Sequence, residues 1–218
     1  LFDYFKGTLP EFPAGKPLFI FASHFHADHY APVIFQLGEK RENVFYILSK
    51  EIGKKISEEY RKRYKDRIRL VKAGERFCLN ISEESLIVET FHSTDEGVAF
   101  WLSCEGKEIY HAGDLNNWWW EGEDMAWNRN MAASYKQEMK KLSGRTADLA
   151  FIPVDPRQEQ WFYLGAAGFM EQADTKWIFP MHFWEDYTII PKLIEHPSSE
   201  GWRDRIVEIH KEGEEFIR

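Results

Sequence analysis

Six consecutive residues, His24-Phe25-His26-Ala27-Asp28-His29, constrain this chain more than any other part of its sequence. They follow directly on the apolar run 17–22, which has the composition of a buried strand. Two histidines separated by one residue point the same way from an extended backbone, so a strand that has just ended can aim both imidazoles at one ion. Asp28 and His29 can then serve a second ion. Because a divalent cation gives each lone pair in such a dense cluster a partner, the run predicts a site for one or two metal ions.

Short apolar runs recur along the chain and alternate with helical patterns. The runs are rich in Val, Ile, Phe and Trp, which indicates strands at 17–22, 44–48, 68–72, 85–91, 98–104, 107–112, 149–154, 176–181 and 205–210. Apolar residues at helical spacing predict helices near 52–64, 125–142, 160–173 and 188–195. This mixture predicts the α/β class, with two sheets packed face to face and helices outside, an αββα sandwich. No repeat or linker divides the sequence, so we predict one domain over residues 1–218.

Three more residues with metal-binding side chains occur where a predicted strand ends. His92 follows the run 86–91, Asp114 follows 109–113, and His182 follows 177–181. In a layered fold, the loops at one edge of the sheets bring together side chains that are distant in sequence. We therefore expect these three residues to join the histidine run in one site.

These residues together give the chain a resemblance to the metallo-β-lactamase superfamily. The family signature is HxHxDH, then a distant His, a distant Asp usually preceded by Gly, and a final His, and the sequence supplies all of them in that order. Asp3 matches an earlier family motif, an Asp that closes an N-terminal strand. The family fold, a four-layer αββα sandwich, has a β-hairpin before that Asp, and the resemblance implies that this hairpin is missing from the sequence given.

The resemblance implies a dinuclear site. His24, His26 and His92 would bind one ion, Asp28, His29 and His182 the other, and Asp114 would bridge the two. Two cations can share a hydroxide at neutral pH and polarise the bond that it attacks. The nitrogen and oxygen ligands suit zinc best and also permit manganese or iron. Asp28 could also act in catalysis by orienting the hydroxide or passing on its proton.

Two further residues are expected to support the metal ligands from behind. Asp3 would brace the metal loop through hydrogen bonds, and a plain cap at a strand end is its alternative. His111 lies three residues before Asp114 and could reach the substrate, and its alternative is a structural or ligand-supporting role; we do not assign it to catalysis.

Aromatic residues are concentrated after Asp114. Three consecutive indoles, at Trp118, Trp119 and Trp120, cannot all face one core, so at least one is expected at the mouth of the site or in an intersubunit contact. We expect Trp118, Trp119 and Trp184 to contact substrate, and core packing under a long loop is the alternative for each. Arg157 would either hold an anionic substrate group or pair with Asp155 or Glu159.

Charge and hydropathy limit the partners. The formal net charge of −8 disfavours nucleic acid and anionic membranes, which are held by positive potential. The basic stretch 54–72 is explained mainly by the solvated face of a helix. No apolar run is long enough to cross a bilayer and no signal peptide is visible, so we expect a cytoplasmic protein that acts on a small molecule.

The leading functional hypothesis is a dinuclear metal-dependent hydrolase that cleaves an ester-like bond: a phosphoester, a lactone or a related acyl bond. A nuclease or phosphodiesterase acting on nucleic acid is one alternative, which would gain support if the 54–72 segment lined the metal cleft. An iron-dependent redox enzyme with the same fold is another. A metal-binding protein without catalysis is the third.

Overall fold

The computed structural model describes residues 1–13, 15–81 and 84–217, and within these ranges the strands form two sheets. The first sheet consists of three parallel strands in sequence order: β1 (Leu18–Ala22), β2 (Val44–Ser49) and β3 (Ile68–Val71). The second sheet has six strands, also in sequence order: β4 (Arg76–Ile81), β5 (Glu84–His92), β6 (Val98–Cys104), β7 (Lys107–His111), β8 (Thr146–Pro153) and β9 (Asp174–Met181). Strands β4 to β7 pair antiparallel, and β7 to β9 pair parallel.

The helices lie on the outer faces of the two sheets. They are α1 (Ile34–Glu39), α2 (Glu58–Arg63), α3 (Met125–Lys140), α4 (Leu164–Met170) and α5 (Ile189–Glu195), with short 3₁₀ helices at Lys50–Lys55, Pro156–Trp161, Pro197–Ser199 and Arg203–Arg205. Asp124 begins α3 by accepting the backbone N–H groups of Ala126 and Trp127, which lack partners inside the helix. No helix in the described ranges has both the length and the apolar character needed to cross a membrane.

Side-chain alternation along the strands builds the layers. In β1, Phe21 points inward and joins Val88 and Phe100 of the second sheet in a core between the sheets. Ile20 points the other way and packs with Phe35 of α1. On the far side of the second sheet, large apolar residues of β6 and β7 pack against α3 and α4, among them Trp101, Tyr110, Met139 and Phe169. The order helix, sheet, sheet, helix confirms the predicted αββα sandwich.

Two glycines hold the loops of the two sheets together beside the end of β1. Gly97 has a φ of +73°, and a Cβ there would lie 1.9 Å from the Ser23 carbonyl oxygen. Gly113 has a φ of +51°, and its Cβ would lie 2.6 Å from Cβ of Ser23. Only glycine permits both the backbone conformation and this close approach. The loops after β5 and β7 are therefore packed directly against the start of the histidine run.

Several elements differ from those predicted. Segment 205–210 forms only one bridge, between Ile206 and Ile178, instead of a strand. The predicted helix over 52–64 is divided into the 3₁₀ helix Lys50–Lys55 and α2, because Ser57 begins a new helix by accepting the N–H of Tyr60. Strand β4 was not predicted. Strands β5, β6 and β7 lie where the sequence predicts strands, at 85–91, 98–104 and 107–112, and pair antiparallel in sequence order.

Candidate metal centre

The loops that follow β1, β5, β7 and β9 meet at one edge of the two sheets. They bring together six of the seven expected ligands, all except His92: His24, His26, Asp28, His29, Asp114 and His182. Because parallel strands end at the same edge, the C-terminal ends of β7 and β9 place Asp114 and His182 side by side. The site is therefore assembled from residues up to 158 positions apart in sequence.

Within the described ranges, three overlapping groups of side chains have ligand atoms close enough to share a metal ion. They are His24, His29 and Asp114; Asp28, His29 and His182; and His26, Asp95 and Asp114. Asp114 Oδ1 lies 3.2 Å from Nε2 of His29 and 3.6 Å from Nε2 of His182, while its Oδ2 lies 3.4 Å from Nε2 of His24. Asp114 is thus central to the cluster, as the bridging role implied by the resemblance requires.

The structure does not bring His92 to these groups. Strand β5 continues through His92, which pairs with Val98, and alternation along the strand leaves the His92 side chain exposed beside α3 and the Lys50–Lys55 helix. The loop that follows carries Asp95 to His26 and Asp114 instead. Asp95 thus stands where the sequence pattern suggested His92. An acidic residue three positions beyond the expected ligand was the only signal for it.

Three of the four imidazoles, those of His24, His29 and His182, are oriented from behind by a polar side chain. Asp3 Oδ2 lies 2.7 Å from Nδ1 of His29, as the bracing role expected of Asp3 requires, and Asp155 Oδ2 lies 2.9 Å from Nδ1 of His182. Ser23 Oγ lies 3.0 Å from Nδ1 of His24 and also donates to Asp3. Hydrogen bonds of this kind fix the ring orientation and leave the opposite nitrogen free for a metal.

The residues present fit a cation. Asp114 Oδ1 is buried and faces imidazole nitrogens, with Nε2 of His29 at 3.2 Å and Nε2 of His182 at 3.6 Å, while Oδ2 faces Nε2 of His24. A buried carboxylate is costly unless its charge is compensated, and a divalent ion among these lone pairs would compensate it. Four imidazoles and three carboxylates are suitable ligands for zinc, manganese or iron.

Without an ion, the charges of the site are balanced by protons. Burial lowers the pKa of His24 to about 4, and the proximity of His29 contributes. Burial also opposes protonation of His29, but the carboxylates of Asp114 and Asp3 outweigh it and raise the pKa of His29 to about 10. The pKa of Asp3 falls to about 2, because its contacts with His29 and His111 outweigh burial. A metal ion at this place would therefore displace a proton from His29.

His111 lies behind the ligands and not among them. Its Nδ1 accepts the N–H of Gly113 and is 3.9 Å from Asp3, and its ring stacks on Phe2 with centroids 4.6 Å apart. Burial lowers the pKa of His111 to about 4. This environment is compatible with the structural role considered for it.

A cleft of about 320 Å³ lies directly over the cluster and is lined by tryptophans. Trp118, Trp120, Trp127 and Trp184 form its walls, together with Met131 and Arg157. Trp119, one of the expected substrate contacts, does not line this cleft and packs instead on Trp161 at a centroid distance of 5.4 Å. Trp127 was not predicted to contact substrate. It lies in α3, and an acidic stretch at 121–124 separates it from the three consecutive indoles.

One buried carboxylate connects the metal cluster to this wall. Asp155 is fully buried, and besides His182 it accepts hydrogen bonds from Nε and Nη2 of Arg157 and from Nε1 of Trp184. The pairing of Arg157 with Asp155 is one of the alternatives considered from the sequence.

The segment that follows β9 has positive φ at His182, Trp184 and Glu185, of 64°, 52° and 63°. Such backbone strain is characteristic of functional loops.

A second cavity, of about 770 Å³, borders the cluster on the opposite side of His182 and Trp184. Its walls are mainly apolar and include Phe2, Phe151 and Phe183, with Asp28 and His29 at its inner end. The cluster is therefore accessible from two sides.

No family model and no curated protein matches the sequence. Among solved structures, the chain is similar to CmlA, a diiron β-hydroxylase from Streptomyces venezuelae, with a TM-score of 0.51 and 12% identity over 88% of this chain and 43% of that one. Weaker similarities include the metallo-β-lactamase fold protein YhfI from Bacillus subtilis (TM-score 0.41, 10% identity, 76% of this chain and 65% of that one) and Zn²⁺-bound PqqB from Methylobacterium extorquens (TM-score 0.43, 10% identity, 76% and 62%). The chain spans less than half the length of CmlA. The layered architecture, the site at the sheet edge and the similarity to CmlA agree with the fold that the sequence resemblance implies, an αββα sandwich of the metallo-β-lactamase type.

Proposed function

We propose that the protein is a metal-dependent hydrolase that uses two divalent ions to cleave an ester-like bond of a small molecule. The observation that carries the proposal is the buried Asp114 carboxylate, which has imidazole nitrogens of three histidines at 3.2, 3.4 and 3.6 Å. The proposed ligands are the six expected residues of the cluster together with Asp95, which takes the place of His92.

The bound ions would supply an activated water and positive charge that stabilises the charge developing on the scissile group. The chain's own groups prepare this chemistry. Asp3 and Asp155 fix the rings of His29 and His182, so the ligands need little reorganisation. Aromatic side chains beside the cluster would displace water once a substrate fills the cleft, which would strengthen electrostatic interactions there.

Asp28 lies where it can accept a proton from the attacking water and pass it on. Its Oδ2 lies 3.5 Å from Nε2 of His29 and 3.7 Å from Nε2 of His182, and its side chain is 31% exposed. It borders both cavities, so a substrate entering from either side meets it. We assign Asp28 the orientation of the attacking water and the transfer of its proton, beside its role as a ligand.

Asp95 supports a second candidate, an iron-dependent redox enzyme. Exchange of an imidazole for a third carboxylate makes the ligand set richer in oxygen, which suits iron or manganese better than the expected set does. CmlA, with a similar fold, is described as a diiron β-hydroxylase. A nuclease receives less support, because no residue of the basic segment 54–72 is among those that line the tryptophan cleft.

The test is metal quantification followed by activity assays. We expect about two metal ions per chain, and hydrolysis of at least one member of a panel of phosphodiesters, lactones and carboxylic esters. Asp114→Asn should lower that activity at least about 100-fold, since both ions lose a ligand. Asp148→Asn is the matched control, because Asp148 lies in β8, pairs with Lys176 of β9 and is not part of the cluster.

Two results would refute the hydrolase. One is undiminished hydrolysis by the Asp114→Asn protein. The other is oxygen consumption by the iron-loaded protein with no hydrolysis of any member of the panel, which would establish the redox candidate instead.

A further inference from the structure

The walls of the tryptophan cleft come from three separate parts of the chain. Trp118 and Trp120 lie in the loop after β7, Trp127 in α3, and Trp184 in the loop after β9. Four indoles around a cleft of about 320 Å³ are far more than is needed to close a small site. Large aromatic side chains that converge from different elements indicate recognition of a specific group.

We propose that this cleft is the subsite for an aromatic ring of the substrate, so that the enzyme acts on small anionic esters that carry an aryl group. The proposal rests on the hydrolase proposed above and specifies its substrate class. The cleft is also lined by Asp114, Asp95 and His26, which the larger cavity is not. A ring held here would therefore place its reactive substituent at the metal cluster.

The indoles are held in place by contacts with one another and with His182. The rings of Trp118 and Trp120 are parallel, with an interplanar angle of 5° and centroids 5.7 Å apart. Trp118 and Trp184 both present an edge contact to the ring of His182, at 5.3 and 5.2 Å. Offset-stacked and edge-to-face contacts of this kind are the favourable geometries between aromatic rings.

The loop that carries Trp120 is fixed before any ligand binds. Asn128, which is buried in α3, donates to the Trp120 carbonyl and accepts the Trp120 N–H. Gln158 donates to the carbonyls of Asn117 and Trp119. A wall that is already ordered costs little entropy on binding, so the contacts it makes contribute to affinity.

Arg157, at the polar end of the cleft, can bind the anionic group of the proposed substrate. Arg157 lies over Trp184 at 4.6 Å and 5.8 Å from the Trp120 ring, and Asp155 occupies its Nε and Nη2. Nη1 has no acceptor among the residues that the structure describes, so it can donate to an oxygen of the substrate. Because the guanidinium already occupies the position of a cation between two indoles, a quaternary ammonium group would be repelled there.

The experiment measures binding of three phosphonates to the metal-loaded protein by calorimetry: phenylphosphonate, cyclohexylphosphonate and methylphosphonate. These probes share the anion and differ only in the attached group. We expect phenylphosphonate to bind at least about fivefold more tightly than cyclohexylphosphonate, since each ring contact contributes roughly 2- to 12-fold. Trp120→Ala and Trp127→Ala should each reduce this preference. Trp127 is 40% exposed, so its truncation should leave the fold intact.

Trp161→Ala is the matched control, because Trp161 bonds Glu121 and does not line the cleft. It should leave the preference unchanged. Equal binding of the phenyl and cyclohexyl probes, absence of binding by phenylphosphonate, or a preference unaffected by both cleft variants would overturn the aryl subsite. A retained preference in a protein that hydrolyses no ester would refute the hydrolase and keep the subsite, so the two failures are distinguishable.

Discussion

Replacement of Asp155 by Asn should weaken metal binding without unfolding the protein. Asp155 Oδ2 lies 2.9 Å from Nδ1 of His182 and also accepts from Nη2 of Arg157 and Nε1 of Trp184. Oδ1 accepts the backbone N–H of Arg157 at 2.8 Å. An amide has one acceptor oxygen, so in either orientation an NH₂ group faces N–H donors.

The magnitude follows from the bonds that are lost. A hydrogen bond to a charged group contributes about 1.5–3 kcal/mol, which corresponds to roughly 10- to 160-fold in an equilibrium constant. Arg157 contributes little beyond this, because its side chain is 52% exposed and solvent screens the pair. The His182 bond is buried on both sides, with exposures of 7% and 0%. We therefore expect the affinity for metal to fall about 10- to 100-fold.

The assay is calorimetric titration of the metal-depleted protein with Zn²⁺ and Mn²⁺, beside a thermal unfolding curve. Asp148→Asn is again the control, since it removes a carboxylate of β8 that pairs with Lys176. An Asp155→Asn protein that remains folded and binds both metals within threefold of the original affinity would refute the role assigned to Asp155.

Three further predictions concern single residues. Asp95→Ala should reduce the metal content of the protein, whereas His92→Ala should not. Elemental analysis of the two variants shows which residue is a ligand, and the opposite pattern would identify His92, the ligand expected from the sequence. Gly97→Ala should lower the free energy of unfolding by about 2–4 kcal/mol, because overpacking adds to backbone strain. Gly144→Ala is the control: a Cβ there meets no other atom, so only backbone strain remains and the cost should be about 1 kcal/mol. Similar denaturation midpoints for the two variants would contradict this. The pKa of His111 falls from 6.5 in the unfolded chain to about 4 in the fold, so protons favour unfolding and the metal-free protein should lose stability as the pH drops from 6.5 to 4. His111→Gln should reduce that slope by up to about 1.4 kcal/mol per pH unit, and an unchanged slope would show that other groups cause it.

The core of the site was predictable because its signals are local. The histidine run needs only a strand before it, and the strand ends before Asp114 and His182 are clear in the sequence. His92 does not join these groups in the structure, because β5 includes one residue more than predicted and continues through His92. Its side chain therefore follows the alternation of the strand and lies on the exposed side, between the buried Phe91 and Ser93.

The remaining features depend on contacts between distant segments. Asp155 reaches His182 across 27 residues, and no local pattern marks it as a partner. The consecutive indoles lie in an irregular loop, where no periodicity indicates that Trp118 and Trp120 face the cleft while Trp119 packs elsewhere. Segment 205–210 has the composition of a strand, but among the described residues it forms a single bridge, between Ile206 and Ile178.

The overlap of the three groups has a consequence for how metal ions would load. His29 belongs to two of the groups and Asp114 to two, so neither ion could be bound or lost without altering the other's surroundings. Occupancy by a first ion would remove the proton from His29 and hold Asp114 in place, which prepares the next position. Loading should then be cooperative, with few half-filled molecules at limiting metal, and withdrawal by a chelator should follow a sigmoidal course.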